Sequence, residues 1–311
     1  MRGKDIKDMC QIKKPTVSVL LSTYNGHQYI RELVDSVLVQ EDVDLKLQVR
    51  DDGSSDDTIE ILKSYNDPRI SLRTGDNLKP ALSFLTLLRE CEDSDYYAYC
   101  DQDDYWYPNK LKSAIEMLKD YHEAALFIST YDVCDENLNK MFTFNMKFED
   151  PLRLQDVLLY RSPSACNMVF NHALREEINK SNPHFIRMHD FWTLIVTLSH
   201  DYAIITSNKP LIKYRQHVGE CVGITPTIIT RVKRLLMSSI KGNNERWHQA
   251  KEAYDAYKDE IPEDKKDILE TIVKYRESTT NKRKLLKDRR FTTKSKYINI
   301  LFKASVLMGK F

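Results

Sequence analysis

The chain has 311 residues with Lys+Arg 47 against Asp+Glu 46, a formal net charge of +1, and is 41% hydrophobic and 30% charged. This is the composition of an ordinary soluble globular protein, large enough for one α/β domain with an appendage, and it excludes a global electrostatic case for nucleic acid. The balance hides a split: residues 226–311 carry 21 basic and 11 acidic side chains, a net of +10, and the remainder 26 and 35, a net of −9.

The N-terminal residues are charged and lack an apolar stretch, so no signal peptide is expected. No run approaches the roughly 18 apolar residues that span a bilayer, and a cytoplasmic protein is expected. The apolar, β-branched run 17–22 predicts a strand ending in the turn Thr23-Tyr24-Asn25-Gly26. Ile30, Leu33, Val34, Val37 and Leu38 then recur at helical spacing. A strand at 45–49 ends in Asp51-Asp52-Gly53-Ser54-Ser55, with Asp56 or Asp57 placed to cap the next helix. A short strand at 69–73, a helix at 81–91 and a strand at 96–100 follow, the last running into Asp101-Gln102-Asp103-Asp104. Pro108 suits the first position of a helix over 109–120, and 124–130 reads as another strand.

Strand–helix alternation of this kind predicts a mostly parallel sheet covered on both faces, with ligands beyond the carboxyl ends of its strands. Three polar clusters fall there, each after a separate strand. Later elements are a helix over 154–160, a strand over 167–170, a helix after Asn171, a helix over 190–199, and strands over 202–206 and 210–214. Beyond 227 the chain reads as helical and charged. The expected organisation is an extension 1–14, a catalytic domain 15–224 and a basic helical region 225–311. The six cysteines form no CxxC pair and read as buried fillers.

Three carboxylates within four residues at 101–104 repel one another unless a cation offsets them. Hard oxygen ligands suit Mg²⁺ or Mn²⁺, which one or two carboxylates commonly hold together with substrate phosphates. The plainer alternative is a solvated acidic turn before a helix. The 51–58 cluster offers acceptors for base or ribose donors, or is merely a strand–turn–helix cap; it is no P-loop, and no GxGxxG occurs.

VSVLLSTYNGHQYI, VRDDGSSDDT and YAYCDQDDYWYPNKL, in this order and strand context, resemble the family 2 glycosyltransferases over about residues 15–222. That family has the GT-A fold, a Rossmann-like sheet flanked by helices. The DQDDxW form, a later HDFW and the ending YRQH are most similar to its bacterial rhamnosyltransferase-like branch, which builds O-antigen, capsule and cell-wall polysaccharide. The resemblance implies that Thr23, Tyr24 and Asn25 lie along the base and ribose and that Asp52 holds the base. Asp101 and Asp103 form the DxD, with Asp103 the direct ligand of Mn²⁺ or Mg²⁺ and Asp101 nearer the ribose.

Transfer with inversion needs a base for the acceptor hydroxyl. Asp190, in His189-Asp190-Phe191-Trp192, matches the family's base position, although Asp is also a common helix cap. His189 and Trp192 are placed on the acceptor side. Arg215 and Lys79 are expected at the donor phosphates and His217 as a further metal ligand, each against a plain structural or solvated role. Glu220 stands where the branch usually has Asn, and Leu78-Lys79-Pro80 where a Gly-containing stretch is commoner.

The tail segments 231–236, 282–290 and 294–310 mix basic with apolar residues. A terminal amphipathic helix there either lies on an anionic membrane surface, near a lipid-linked or glycan acceptor, or packs on the catalytic domain or another subunit. The expected reading is an inverting glycosyltransferase using a nucleotide-sugar donor, dTDP-rhamnose or UDP-hexose, without nucleic acid. A sugar nucleotidylyltransferase and a non-catalytic glycan- or membrane-binding protein are the alternatives.

Overall fold

The computed structural model describes residues 13–144, 151–159, 165–217 and 244–311. The basic stretch 231–236, Glu220 and the expected boundary near 224 lie outside them. β1 (Thr16–Thr23), β2 (Asp44–Asp51), β3 (Ile70–Thr74) and β4 (Tyr96–Cys100) run parallel in the order β3–β2–β1–β4. They are joined through α1 (Ile30–Leu38), α2 (Thr58–Ser64) and α3 (Lys79–Glu90). β1 is buried almost throughout because helices cover both of its faces.

Past β4 come β5 (Tyr105–Trp106), α4 (Lys110–Leu118), β6 (Ala125–Cys134), β7 (Lys140–Phe144) and α5 (Leu154–Leu159). β8 (Met168–Asn171), α6 (His172–Asn179), α7 (His189–Ser199) and β9 (Ala203–Arg215) complete the sheet region. Here the sheet turns mixed. β8 lies antiparallel between β4 and β6, β6 runs parallel to β9, and β5 and β7 add antiparallel. The sheet is nonetheless mostly parallel as expected, because β6 and β9 run in the same sense as β1–β4; only β5, β7 and β8 are reversed, since a buried apolar run does not disclose its direction.

The two strands expected near 202–214 are one, β9, with its register against β6 broken between Ser129 and Thr130, opposite Ser207 and Pro210. Pro210 has no N–H for the ladder, and Thr130 Oγ1 donates to the Asn208 carbonyl at 3.0 Å. Pro108 sits before Asn109, the cap of α4, rather than inside that helix. Asp56, not Asp57, supplies the side-chain bond at the start of α2, accepting from Thr58 N at 3.1 Å.

The C-terminal helices α8 (Glu245–Tyr257), α9 (Glu263–Lys274), α10 (Thr279–Lys287) and α11 (Lys296–Leu307) share one hydrophobic core with the sheet. α7 is buried on nearly every side because α3, α5, α6 and α8 surround it. Tyr257 of α8 packs 6.2 Å from the Trp192 ring, and its hydroxyl donates to the Glu177 carbonyl at 3.0 Å. α11 turns Leu301, Phe302 and Val306 inward against Phe291 and Phe311. The cysteines at 91, 100, 134 and 166 are free and buried.

Candidate active site

Parallel register sets Thr23 beside Asp51 and Leu21 beside Cys100, so the turns after β1, β2 and β4 emerge on one rim. Asp51 ties the first two turns together. It accepts from Thr23 Oγ1 at 2.8 Å and from Ser54 N at 2.7 Å. Asn25 has a φ of 48°, and its Oδ1 accepts from Ser55 N at 2.8 Å. Gln102 fastens the third turn to the first: Tyr24 N donates to its Oε1 at 3.0 Å, and its Nε2 donates to the Tyr24 carbonyl at 3.2 Å. A Cβ at Gly26 would meet Gln102 Oε1 at 2.5 Å, so a side chain there would push the Gln102 amide off the Tyr24 backbone. Tyr24 is left 49% exposed above the rim.

The acidic corner follows β4. Carboxylate oxygens of Asp101 and Asp104 and the Cys166 sulfur all lie within 4.8 Å of one another. Asp104 is fully buried, and neither of its oxygens has a conventional hydrogen bond; the Cys166 thiol, a weak donor, faces it. Asp103 is more open, and its Oδ2 lies 2.9 Å from His217 Nε2. The His217 ring leans on Tyr29 at 4.7 Å. Crowded carboxylates with an orphaned buried pair of oxygens fit a divalent cation; Asp101 and Asp104 converge here, with the Asp103–His217 pair beside them.

Burial, then the charges of Asp103 and Asp190, push the Asp101 carboxyl up to about 7. Unfolded, it would ionise near 3.8. Between these values the folded chain binds the extra proton, so this group's contribution to stability falls as pH rises. Thermal melts of the metal-free chain are expected to show the wild type losing stability relative to Asp101→Asn from about pH 4 to about pH 7, with little further change above. A constant difference across that range would refute this.

Lys110 was not anticipated. It is fully buried, with Nζ 3.1 Å over the Trp106 ring and donating to the Cys166 carbonyl at 2.7 Å. Desolvation lowers its pKa to about 8, opposed by the nearby acidic groups. It stands behind Asp101 and Asp104 as an internal counter-charge. Lys110→Met is expected to lower the melting temperature more without Mn²⁺ than with it, because the ion replaces the lost charge. Equal losses in both conditions would reduce Lys110 to packing.

Asp190 is held against this corner by its own helix. Tyr99, two residues before Asp101, hydrogen bonds through its hydroxyl to Thr193 Oγ1, three residues after Asp190, at 3.0 Å. Strand β4 and the first turn of α7 are thereby locked side by side, and Asp190 is near enough to raise the pKa of Asp101. Asp190 is 8% exposed, and its Oδ1 accepts from Phe191 N at 2.7 Å. A carboxylate in the first turn of a helix also meets the positive end of its dipole.

Several expected contacts are corrected. His189 is fully buried, stacked on Phe84 at 3.8 Å and edge-on to Tyr99 at 4.6 Å, so it cannot line an acceptor site. Its two ring nitrogens have no partner among the described residues, and burial drives its pKa down to about 3, keeping the ring neutral. Trp192 is likewise interior; Trp192→Ala should cost about 3–5 kcal/mol in chemical denaturation.

Arg215 is buried and already committed. It donates from Nε to the Asp103 carbonyl at 2.8 Å, to the Glu136 carbonyl, and to Glu32 Oε2 at 2.6 Å. It clamps the acidic turn and is not free for a phosphate. Thr23 spends its hydroxyl on Asp51. Asp52 is ion-paired with Arg50 and accepts from Ser83 Oγ at 2.9 Å and Leu78 N at 3.1 Å, so contact with a base requires one of these bonds to be exchanged. Lys79 opens α3 at a φ of 65° and is exposed beside that turn.

The model of "Glycosyl transferase family 2" matches residues 18–181, more than half of the 311. The chain is 27% identical over 235 residues to the dTDP-rhamnosyl transferase RfbG of Shigella flexneri, covering 69% of this chain and 78% of that one. It is 30% identical over 121 residues to the UDP-Glc:alpha-D-GlcNAc-diphosphoundecaprenol beta-1,3-glucosyltransferase WfgD of Escherichia coli, covering 39% and 47%. In fold it is similar to S. aureus TarS 1–349 in complex with UDP-GlcNAc, with TM-score 0.56, 17% identity and 88% and 77% coverage. It is also similar to the mannosyltransferase PcManGT from Pyrobaculum calidifontis in complex with GDP-Man and Mn²⁺, with TM-score 0.55, 17% identity and 95% and 81% coverage. The mixed sheet, its helical cover and the helical C-terminal region are those of a GT-A glycosyltransferase. The chain is a glycosyltransferase and belongs to glycosyl transferase family 2.

Proposed function

We propose that the protein transfers a sugar, with inversion, from a nucleotide diphosphate to a growing cell-surface polysaccharide or lipid-linked glycan. dTDP-rhamnose or a UDP-hexose is the donor favoured by the relatives, one named a dTDP-rhamnosyl transferase and one using UDP-Glc. What supports this reading is the hydrogen bond between Tyr99 of β4 and Thr193 of α7, which ties the helix carrying Asp190 to the strand that ends in Asp101.

Tyr24 offers its exposed ring to the base, and the turns around Asn25 and Ser54 fix that platform. Asp103, Asp101 and His217 hold Mn²⁺ or Mg²⁺. When bound, such an ion neutralises the charge growing on the leaving diphosphate. Arg215 keeps the Asp103 turn at its height through the backbone carbonyl. Asp190 takes the proton of the acceptor hydroxyl as that oxygen bonds to C1 of the sugar. The C1–O bond to the diphosphate breaks, and its electron pair leaves with the diphosphate. No helix among the described residues is long and apolar enough to cross a membrane; we place the enzyme at the inner membrane face, on a lipid-linked acceptor.

The test is a panel of nucleotide sugars, each assayed for Mn²⁺- or Mg²⁺-dependent binding and hydrolysis. One donor is expected to stand out. Failure of every nucleotide to bind with either metal would overturn the reading.

A further inference from the structure

The terminal helix α11 buries one side and presents another. Lys296, Ile300, Lys303 and Leu307 are all exposed and recur at i, i+4, i+7 and i+11, a stripe within about 60° of arc at 100° per residue. Ile300 and Leu307 are 65% and 62% exposed, unusual for isoleucine and leucine on a helix with a filled core side. Residues 279–311 contain ten Lys or Arg and one acidic residue, Asp288, and Asp267 of α9 pairs with Lys284 and Arg290, which leaves an excess of positive charge around the stripe. A cavity of about 300 Å³ opens beside Lys303. Phe291 and Phe302 line it as buried rings with Leu286, and Lys287, Arg289 and Lys303 are exposed around it.

We infer that this face docks on an anionic phospholipid surface. Alternating lysine and large apolar side chains along one outward stripe match a headgroup layer, where ammonium groups meet phosphates and Ile300 and Leu307 reach the acyl boundary. The cavity beside Lys303 gives an apolar recess with a basic margin for a lipid at that boundary. Charge complementarity selects the anionic bilayer over a second copy, since two such faces carry the same strong positive charge and repel. The inference extends the lipid-linked acceptor proposed above, but the contact itself needs no catalysis.

The full chain is sedimented with vesicles of phosphatidylcholine alone and of phosphatidylcholine with phosphatidylserine, at low and high salt. Binding is expected only to the anionic vesicles and is expected to weaken with salt. Lys287→Gln, Lys296→Gln and Lys303→Gln together should weaken partitioning roughly a hundredfold, at about fivefold per lysine. Ile300→Ser with Leu307→Ser should remove the part that resists salt. These positions are exposed, and unchanged melting temperatures establish that the variants fold.

Equal binding to neutral vesicles, no binding at all, or full binding by both variants would overturn the inference. So would self-association abolished by Ile300→Ser with Leu307→Ser, or equally tight binding to an RNA duplex. Mn²⁺-dependent nucleotide binding is measured alongside. Its retention without vesicle binding sinks the docking alone; its loss with vesicle binding intact sinks only the catalytic reading.

Discussion

Asp190→Asn should lower kcat by about a hundred- to ten-thousandfold, the usual worth of a positioned general base, with donor binding and melting temperature unchanged. The substitution keeps the shape of the side chain and its acceptor for Phe191 N, so the first turn of α7 is preserved. It removes the ability to take a proton. It also removes a negative charge that helps hold Asp101 protonated, so the Asp101 carboxyl should ionise at lower pH in the variant. Steady-state kinetics with the donor identified by the panel, beside calorimetric titration of the nucleotide, measures both effects. A variant that retains most of the wild-type kcat removes Asp190 from the chemistry.

Asp103→Ala should abolish metal-dependent nucleotide binding, weakening it about a hundredfold or more, close to 2.7 kcal/mol. Its carboxylate is the open member of the corner and the one that meets His217. His217→Ala should weaken the same binding less. The double variant should lose less than the sum, because the two side chains serve one ion. Additive losses would separate His217 from the metal. Metal-free binding of the nucleotide, governed by the platform around Tyr24 and Asn25, should be equal in all of these proteins.

The first half of the fold was legible because its strands and helices obey simple periods and its turns are marked by Gly, Asn and Asp. The three clusters after β1, β2 and β4 fell on one rim as expected, since parallel register carries the ends of these strands to the same side. The second half was less legible. β8 gives no sign of its direction, and Pro210 looked like a strand boundary when it marks a break inside β9. The site residues divide by a similar logic. Motif position singled out Asp101, Asp103, Asp190 and His217, the residues of the proposed chemistry, but it could not tell an open side chain from one buried as a support.

His189, Trp192 and Arg215 stand inside the motifs and are buried. Their neighbours Phe84, Tyr257 and Glu136 come from distant stretches of chain, so the sequence alone could not reveal that enclosure. Lys110 was missed for the converse reason. A lysine near the start of an amphipathic helix reads as solvated, and only the Trp106 ring and the Cys166 carbonyl show that it points inward.

That buried ammonium bears on how the enzyme comes to be made. Aspartates drawn together out of water are costly to ionise, and burial already holds the Asp101 and Asp104 carboxyls protonated to higher pH than usual. With Lys110 lodged behind them, the polypeptide supplies its own provisional balance. On the proposed reading, the turn can then assemble before an ion arrives, and metal uptake becomes a later, reversible step.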